Sequence, residues 1–284
     1  MKHLVLQFFV MVALVLPVQA AEASVALDRA RTAFDEGKFQ EAAKLARRAA
    51  SPDGYAFAAR AGLVYADFLA PPKERLEIVQ RAEEDARRAI ALAPELAEGR
   101  LQLAIALGFR GRLEGYLTAH IDGLANEART HLDYVVAREP DNPWVHALLG
   151  GWHLEIVQAG GLLGRTLYGA GVEAGIAEYA RALTLVPGEL VVTFQCALQL
   201  TALGDGEYRR QAVVLLGKLD VPATPTALQM LTLARARRLQ AVLNGGTEAE
   251  IDSVVQTQKG GNTEEASLIP RQRHQIRPPI GLPR

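Results

Sequence analysis

A chain of 284 residues, 49% apolar and 22% charged, has the material for a sizeable packed core, as one large domain or two small ones. Its 31 Lys and Arg against 32 Asp and Glu leave a formal charge of −1. A protein that neutralises a phosphate backbone carries a strong basic excess, so the balance argues against nucleic acid as a partner.

The first twenty residues, MKHLVLQFFVMVALVLPVQA, have the layout of a secretory signal. Lys2 and His3 form a short basic start, and Leu4 to Leu16 is an apolar run interrupted only by Gln7. Pro17 breaks the helix before the small residues of a cleavage site expected after Ala20. The run is too short for the roughly 20 residues a membrane-spanning helix needs. Cleavage would leave a charge of −2, because Lys2 is the only charged residue removed. The expected location is the periplasm. That compartment permits disulfides, yet Cys196 is the only cysteine. Its apolar neighbours point to a buried thiol.

From residue 21 the chain is patterned for helices, with no period-two alternation of a strand. Pro52, Pro94, Pro140, Pro187 and Pro222 punctuate it at steps of 35 to 47 residues, a spacing that points to repeated helix pairs. Small residues recur twelve positions ahead of three of these prolines. The sets are Ala82, Ala86, Ala89, Pro94; Ala128, Leu132, Val135, Pro140; and Gly175, Tyr179, Ala182, Pro187. A matching first-helix pattern appears as Ala58, Ala61, Gly62, Tyr65 and as His146, Leu149, Gly150, His153.

These residues resemble the tetratricopeptide frame, whose small positions let paired helices approach closely. The resemblance implies an all-α, right-handed solenoid of about five helix pairs over 21–243, the last segment, Thr226 to Leu243, capping the open end. The middle repeats depart from the 34-residue period. The step between paired small residues is 12 for Ala30–Ala42, but 20 for Gly62–Ala82, 24 for Ala104–Ala128 and 25 for Gly150–Gly175. This stretched layout, with the run His146 to Trp152, is similar to the repeat region of the regulator of microtubule dynamics proteins over roughly residues 97–222. A periplasmic protein would not share a microtubule role. A short helix is expected over Glu248 to Val255. The remainder of 244–284 reads as a mostly disordered tail, Gly-, Gln-, Arg- and Pro-rich towards its end.

No motif compels an enzymatic reading. His146 and His153 stand seven apart, whereas two ligands on one helix stand four apart as in H-E-x-x-H, and both fill large-residue packing slots of the frame. His120 with Asp122 could do acid–base work only if its insertion folded to suit. The glycine-dense stretch Gly160–Gly175 lacks the preceding strand of a dinucleotide fingerprint. It is expected as a closely packed insertion, or as an apolar lid or membrane-touching loop carrying Leu162, Leu163, Leu167 and Tyr168. No cofactor or metal is expected.

What remains is the concave face, which in tetratricopeptide solenoids holds peptides. Carried over by position, the resemblance assigns it Leu63, Leu101, Ile105, Phe109, Trp144, Ala147, Leu154, Glu155, Phe194 and Leu198. The expected function is a non-catalytic scaffold gripping an envelope protein, or a second copy of the chain, in this apolar groove. The alternative is a carrier or sensor of an apolar small molecule or lipid. The insertions or the capping helix could instead cover the strip as ordinary core.

Overall fold

The computed structural model describes residues 22–260 apart from Val221, so the expected signal segment and the arginine-rich end of the tail lie outside the described residues. Thirteen helices account for the fold, with no strand among the described residues. After α1 (residues 22–35) come α2 (Phe39–Arg48), α3 (Pro52–Phe68), α4 (Pro72–Leu92), α5 (Ala97–Glu114), α6 (Tyr116–Ile121), α7 (Leu124–Arg138), α8 (Pro143–Tyr168), α9 (Val172–Leu185), α10 (Leu190–Ala202), α11 (Gly206–Gly217), α12 (Ala227–Gly245) and α13 (Glu248–Lys259).

The proline punctuation falls where chain direction changes. Pro94, Pro140 and Pro187 lie between helices, while Pro52 opens α3 at its first turn, where a missing N–H costs nothing. Side chains complete several starts. Ser51 accepts from the Gly54 N–H and Asn142 from the Trp144 N–H, and Thr226 and Thr247 form reciprocal capping boxes with Gln229 and Glu250.

Helices adjacent in sequence pack on one another, and α3, α5, α8 and α10 also touch in succession. The paired small residues set these contacts. A β-carbon on Gly62 would stand 3.4 Å from the Ala82 methyl. Between α8 and α9 the approach is closer still: a β-carbon on Gly150 would lie 2.9 Å from the Gly175 carbonyl, and one on Gly175 would lie 3.1 Å from the Gly150 carbonyl. Here glycine permits backbone to meet backbone.

The three insertions are helical. The first lengthens α3 and α4, the second is α6, and the third extends α8 to Tyr168. Within the third, Gly161 has left-handed φ of 53° and breaks α8, turning the segment 162–168 back so that Gly164 lies against the Ile156 carbonyl.

The last two helices depart most from expectation. α12 does not cap an open end. Its first turn packs on the N-terminal cluster of Phe34, Phe39 and Ala61, with Ala227 set against Gly37. Its later residues Ala236 and Leu239 join the C-terminal cluster around Leu198 and Tyr208. An end cap needs one polar outer face; α12 is apolar on the sides that meet these two clusters and spans between them. The Arg235 guanidinium fixes it to α3, donating to the Asp67 carboxylate at 2.9 Å and to the Asp67 carbonyl at 2.5 Å. Arg235→Ala is expected to cost roughly 1.5 kcal/mol, the scale of a charged hydrogen bond, and to speed hydrogen exchange in α12 before the rest of the chain. α13 continues past Val255 to Lys259, and Ile251, Val254, Val255 and Gln258 are buried.

Candidate functional site: an apolar chamber

α3, α5, α8 and α10, with α7 behind them, wall a partly open chamber of about 380 Å³, to which α12 and α13 add Leu228, Thr232, Gln258 and Lys259. Helical spacing decides which side chains reach it. From α8 come Trp144, Ala147, Leu148, Gly151, Trp152, Glu155 and Ile156, the three- and four-residue steps of a single face. α5 supplies Leu101, Ile105 and Phe109, α10 supplies Gln195, Leu198 and Gln199, and α12 supplies Leu228 and Thr232.

Eight of the ten residues assigned to the concave face line this space: Leu63, Leu101, Ile105, Phe109, Trp144, Ala147, Glu155 and Leu198. Leu154 and Phe194 do not. Leu154 is fully buried against Gly175 of α9, and Phe194 is fully buried in the C-terminal core. Each stands one position off the lining face of its helix, where a 100° rotation turns a side chain from the chamber to the neighbouring helix.

One wall is polar. The Glu155 carboxylate accepts from Lys259 Nζ at 3.0 Å and from Gln199 Nε2 at 3.0 Å, and its other oxygen accepts from the Tyr116 hydroxyl at 3.3 Å. Gln158 closes the ring, taking a hydrogen bond from Lys259 and giving one to the Gln199 side chain. The Lys259 side chain is 9% exposed and that of Glu155 15%. Burial opposes the charge on Glu155, yet Lys259 and Arg112, with the Gln199 hydrogen bond, outweigh it and hold its carboxyl at about 2. Burial likewise pushes Lys259 down, against the pull of Glu155. Arg112 lines the chamber with its guanidinium over the Phe109 ring.

Lys259, Gln258, Arg112, Gln158 and Gln199 were not anticipated. Gln199 carried a signal, being a polar residue at a lining position of the mainly apolar α10. Lys259 carried none, because its surroundings resemble a solvated tail.

His146, His153 and His120 each make contacts within the fold. His146 joins Glu178 at 2.6 Å and the Pro140 carbonyl at 2.8 Å, tying α8 to α9 and to the preceding turn. Burial, then the Arg129 charge, pushes His153 down, and its Nδ1 accepts from the Gly171 N–H. His120 bonds the Tyr168 hydroxyl, while the Asp122 carboxylate faces Arg110. Cys196 is buried, and burial pushes its thiol up.

Among the described residues the architecture is all-helical, with successive helices walling a chamber that α12 and α13 border. Residues 26–207 match the family model described as regulator of microtubule dynamics protein 1-3, and the chain belongs to this family. The match reaches further towards the N-terminus than the middle repeats that suggested it. It stops before α12 and α13, so these two helices lie beyond the matched segment. No curated protein matches the chain.

Proposed function

We propose that the chamber holds an apolar small molecule or the hydrocarbon portion of a lipid, making the protein a carrier or sensor and not an enzyme. The observation that carries this is the seating of α12 and α13: the chain's own helices lie along the groove where a bound segment would lie, and a partly open, mainly apolar volume remains beside them. That volume is within the range of small-molecule sites, lined mostly by apolar side chains with a few convergent polar groups. We take the scaffold as a solenoid of tetratricopeptide-like helix pairs, exported to the periplasm by residues 1–20. No microtubule is present there, so the chamber, not the family's title, carries the proposal.

Apolar compounds are expected in denatured extracts of the purified protein by mass spectrometry. Ile105 and Leu148 line the chamber and are only half-buried, so Ile105→Trp with Leu148→Trp fills space without wrecking the core. The pair is expected to weaken binding of N-phenyl-1-naphthylamine by about tenfold, 1.4 kcal/mol. Clean extracts together with no probe binding would remove the proposal.

A protein segment is the second reading, favoured by Trp144, which lines the chamber yet is 39% exposed and could anchor a partner at its rim. Such a partner would have to displace α13. Trp144→Ala should then abolish a crosslinked partner while helicity is unchanged.

A further inference from the structure

The second and third insertions build an outward surface unrelated to the chamber's contents. α6 turns Tyr116 and Ala119 towards the chamber and leaves Leu117 and Ile121 outside. Beyond the Gly161 break, Leu162, Leu163 and Leu167 are exposed as well, the five aliphatic side chains ranging from 57% to 74%. The His120–Tyr168 hydrogen bond joins the two elements, and Tyr168 stands edge-on to Trp152 of the chamber wall. Two segments some forty positions apart, each presenting exposed aliphatic side chains, are therefore braced together as one tip.

We propose that this tip is a peripheral membrane contact, inserting Leu117, Ile121, Leu162, Leu163 and Leu167 into the interface of a bilayer containing anionic lipid. The charge pattern selects that occupant. Arg165 is exposed within the tip, three residues from Leu162, and none of the ion pairs among the described residues includes it. Asp122, the carboxylate following α6, is engaged by Arg110 at 3.6 Å. A twofold contact between two copies would bury the aliphatic side chains against each other and leave Arg165 facing protein, with Glu173 at the start of α9 the next exposed carboxylate along the chain. Aliphatic side chains beside a basic residue instead match the acyl boundary and headgroups of an anionic leaflet. No helix among the described residues is long and apolar enough to cross a membrane, so the contact is interfacial.

The test uses the full chain with a local readout, because residues 4–16 are apolar in their own right. An environment-sensitive fluorophore is placed at Leu163→Cys, at Ile121→Cys and, as a control, at Lys44→Cys on the exposed face of α2; Cys196 is buried. Phosphatidylcholine vesicles with phosphatidylglycerol are expected to shift emission to the blue at both tip positions and not at position 44. Leu162→Ser with Leu167→Ser, both exposed, should weaken the response by at least about tenfold. Arg165→Gln should weaken it about fivefold on the anionic vesicles only, the weight of one basic residue at a charged surface. No shift at either tip position, a shift unaffected by the serine pair, or a concentration-dependent dimer that the serine pair dissolves in the absence of vesicles would each overturn the proposal. Probe binding in the chamber is measured apart from this, so either proposal can fail alone.

Discussion

Glu155→Ala is expected to lower the stability of the protein by roughly 3–5 kcal/mol, the cost of leaving one member of a buried ion pair uncompensated. Lys259 would keep its charge with only the Gln158 amide to serve it, because its second partner is the deleted carboxylate. Urea unfolding followed by far-ultraviolet circular dichroism measures the loss. Glu155→Gln should fall in the same direction, since it preserves volume but not charge. Adding Lys259→Met to Glu155→Gln should recover much of the deficit, because removing both charges also removes the burial penalty. Equal stability of the two single variants and the parent would contradict the assignment of this pair as the bond holding α13.

The same group predicts an acid response with a definite sign. Its carboxyl is held at about 2 against an ordinary 4.5, so its contribution is fully present above 4.5 and drains away as pH falls towards 2. Between those values the parent protein should lose stability more steeply than Glu155→Gln, a difference that other low-lying carboxylates, common to both proteins, cannot produce.

Gly150→Ala carries the second large effect, a loss of about 2 kcal/mol. Alanine is favoured over glycine within a helix by roughly 1 kcal/mol, so the sign depends on what the methyl meets. At Gly150 it meets the ring of buried Tyr179 at 2.6 Å and the Gly175 carbonyl at 2.9 Å, and backbone cannot step aside as a flexible side chain can. Gly62→Ala is the matched control. Its methyl would rest at 3.4 Å from Ala82, ordinary van der Waals contact, so the propensity gain should survive and the protein should be unchanged or slightly firmer. Thermal unfolding of the two variants beside the parent decides the matter. Equal destabilisation of both would mean that the α8–α9 crossing is no tighter than α3–α4.

These glycines show why part of the fold was legible in the sequence. Paired helices meet through residues separated by 12 to 25 positions, so packing leaves a local imprint of small residues, and Gly62–Ala82 and Gly150–Gly175 do face each other. Eight of the ten residues taken from the same frame line the chamber, Glu155 being the charged one among them. Leu154 and Phe194 failed because the frame fixes a helix face only to within one residue. The last side of the chamber left no local imprint. Lys259 pairs with a residue 104 positions earlier, and its glutamine- and glycine-rich surroundings resemble a tail that cannot bury enough surface to order itself. α12 read as an amphipathic cap, because periodicity shows that one face is apolar and cannot show that a second cluster waits at the other end.

The grip of Arg235 on Asp67 spans 168 residues, and that separation bears on how the molecule comes into being. An array of helices that touch only their neighbours has two free ends, each able to fray without consulting the other. Joining residue 235 to residue 67 makes fraying at either end a matter for both, so melting should be a single event and not a sequence of peeling steps. The entropic cost of so long a loop grows only logarithmically and adds little to that of a short one. Its cost in time is larger, because distant contacts form late. A chain emerging from its N-terminus can assemble α1 to α11 in order and still lack one side of the chamber. That side arrives only with Leu228, Thr232, Gln258 and Lys259, so a polypeptide cut short before residue 226 would own most of the walls and a gap where the last helices belong.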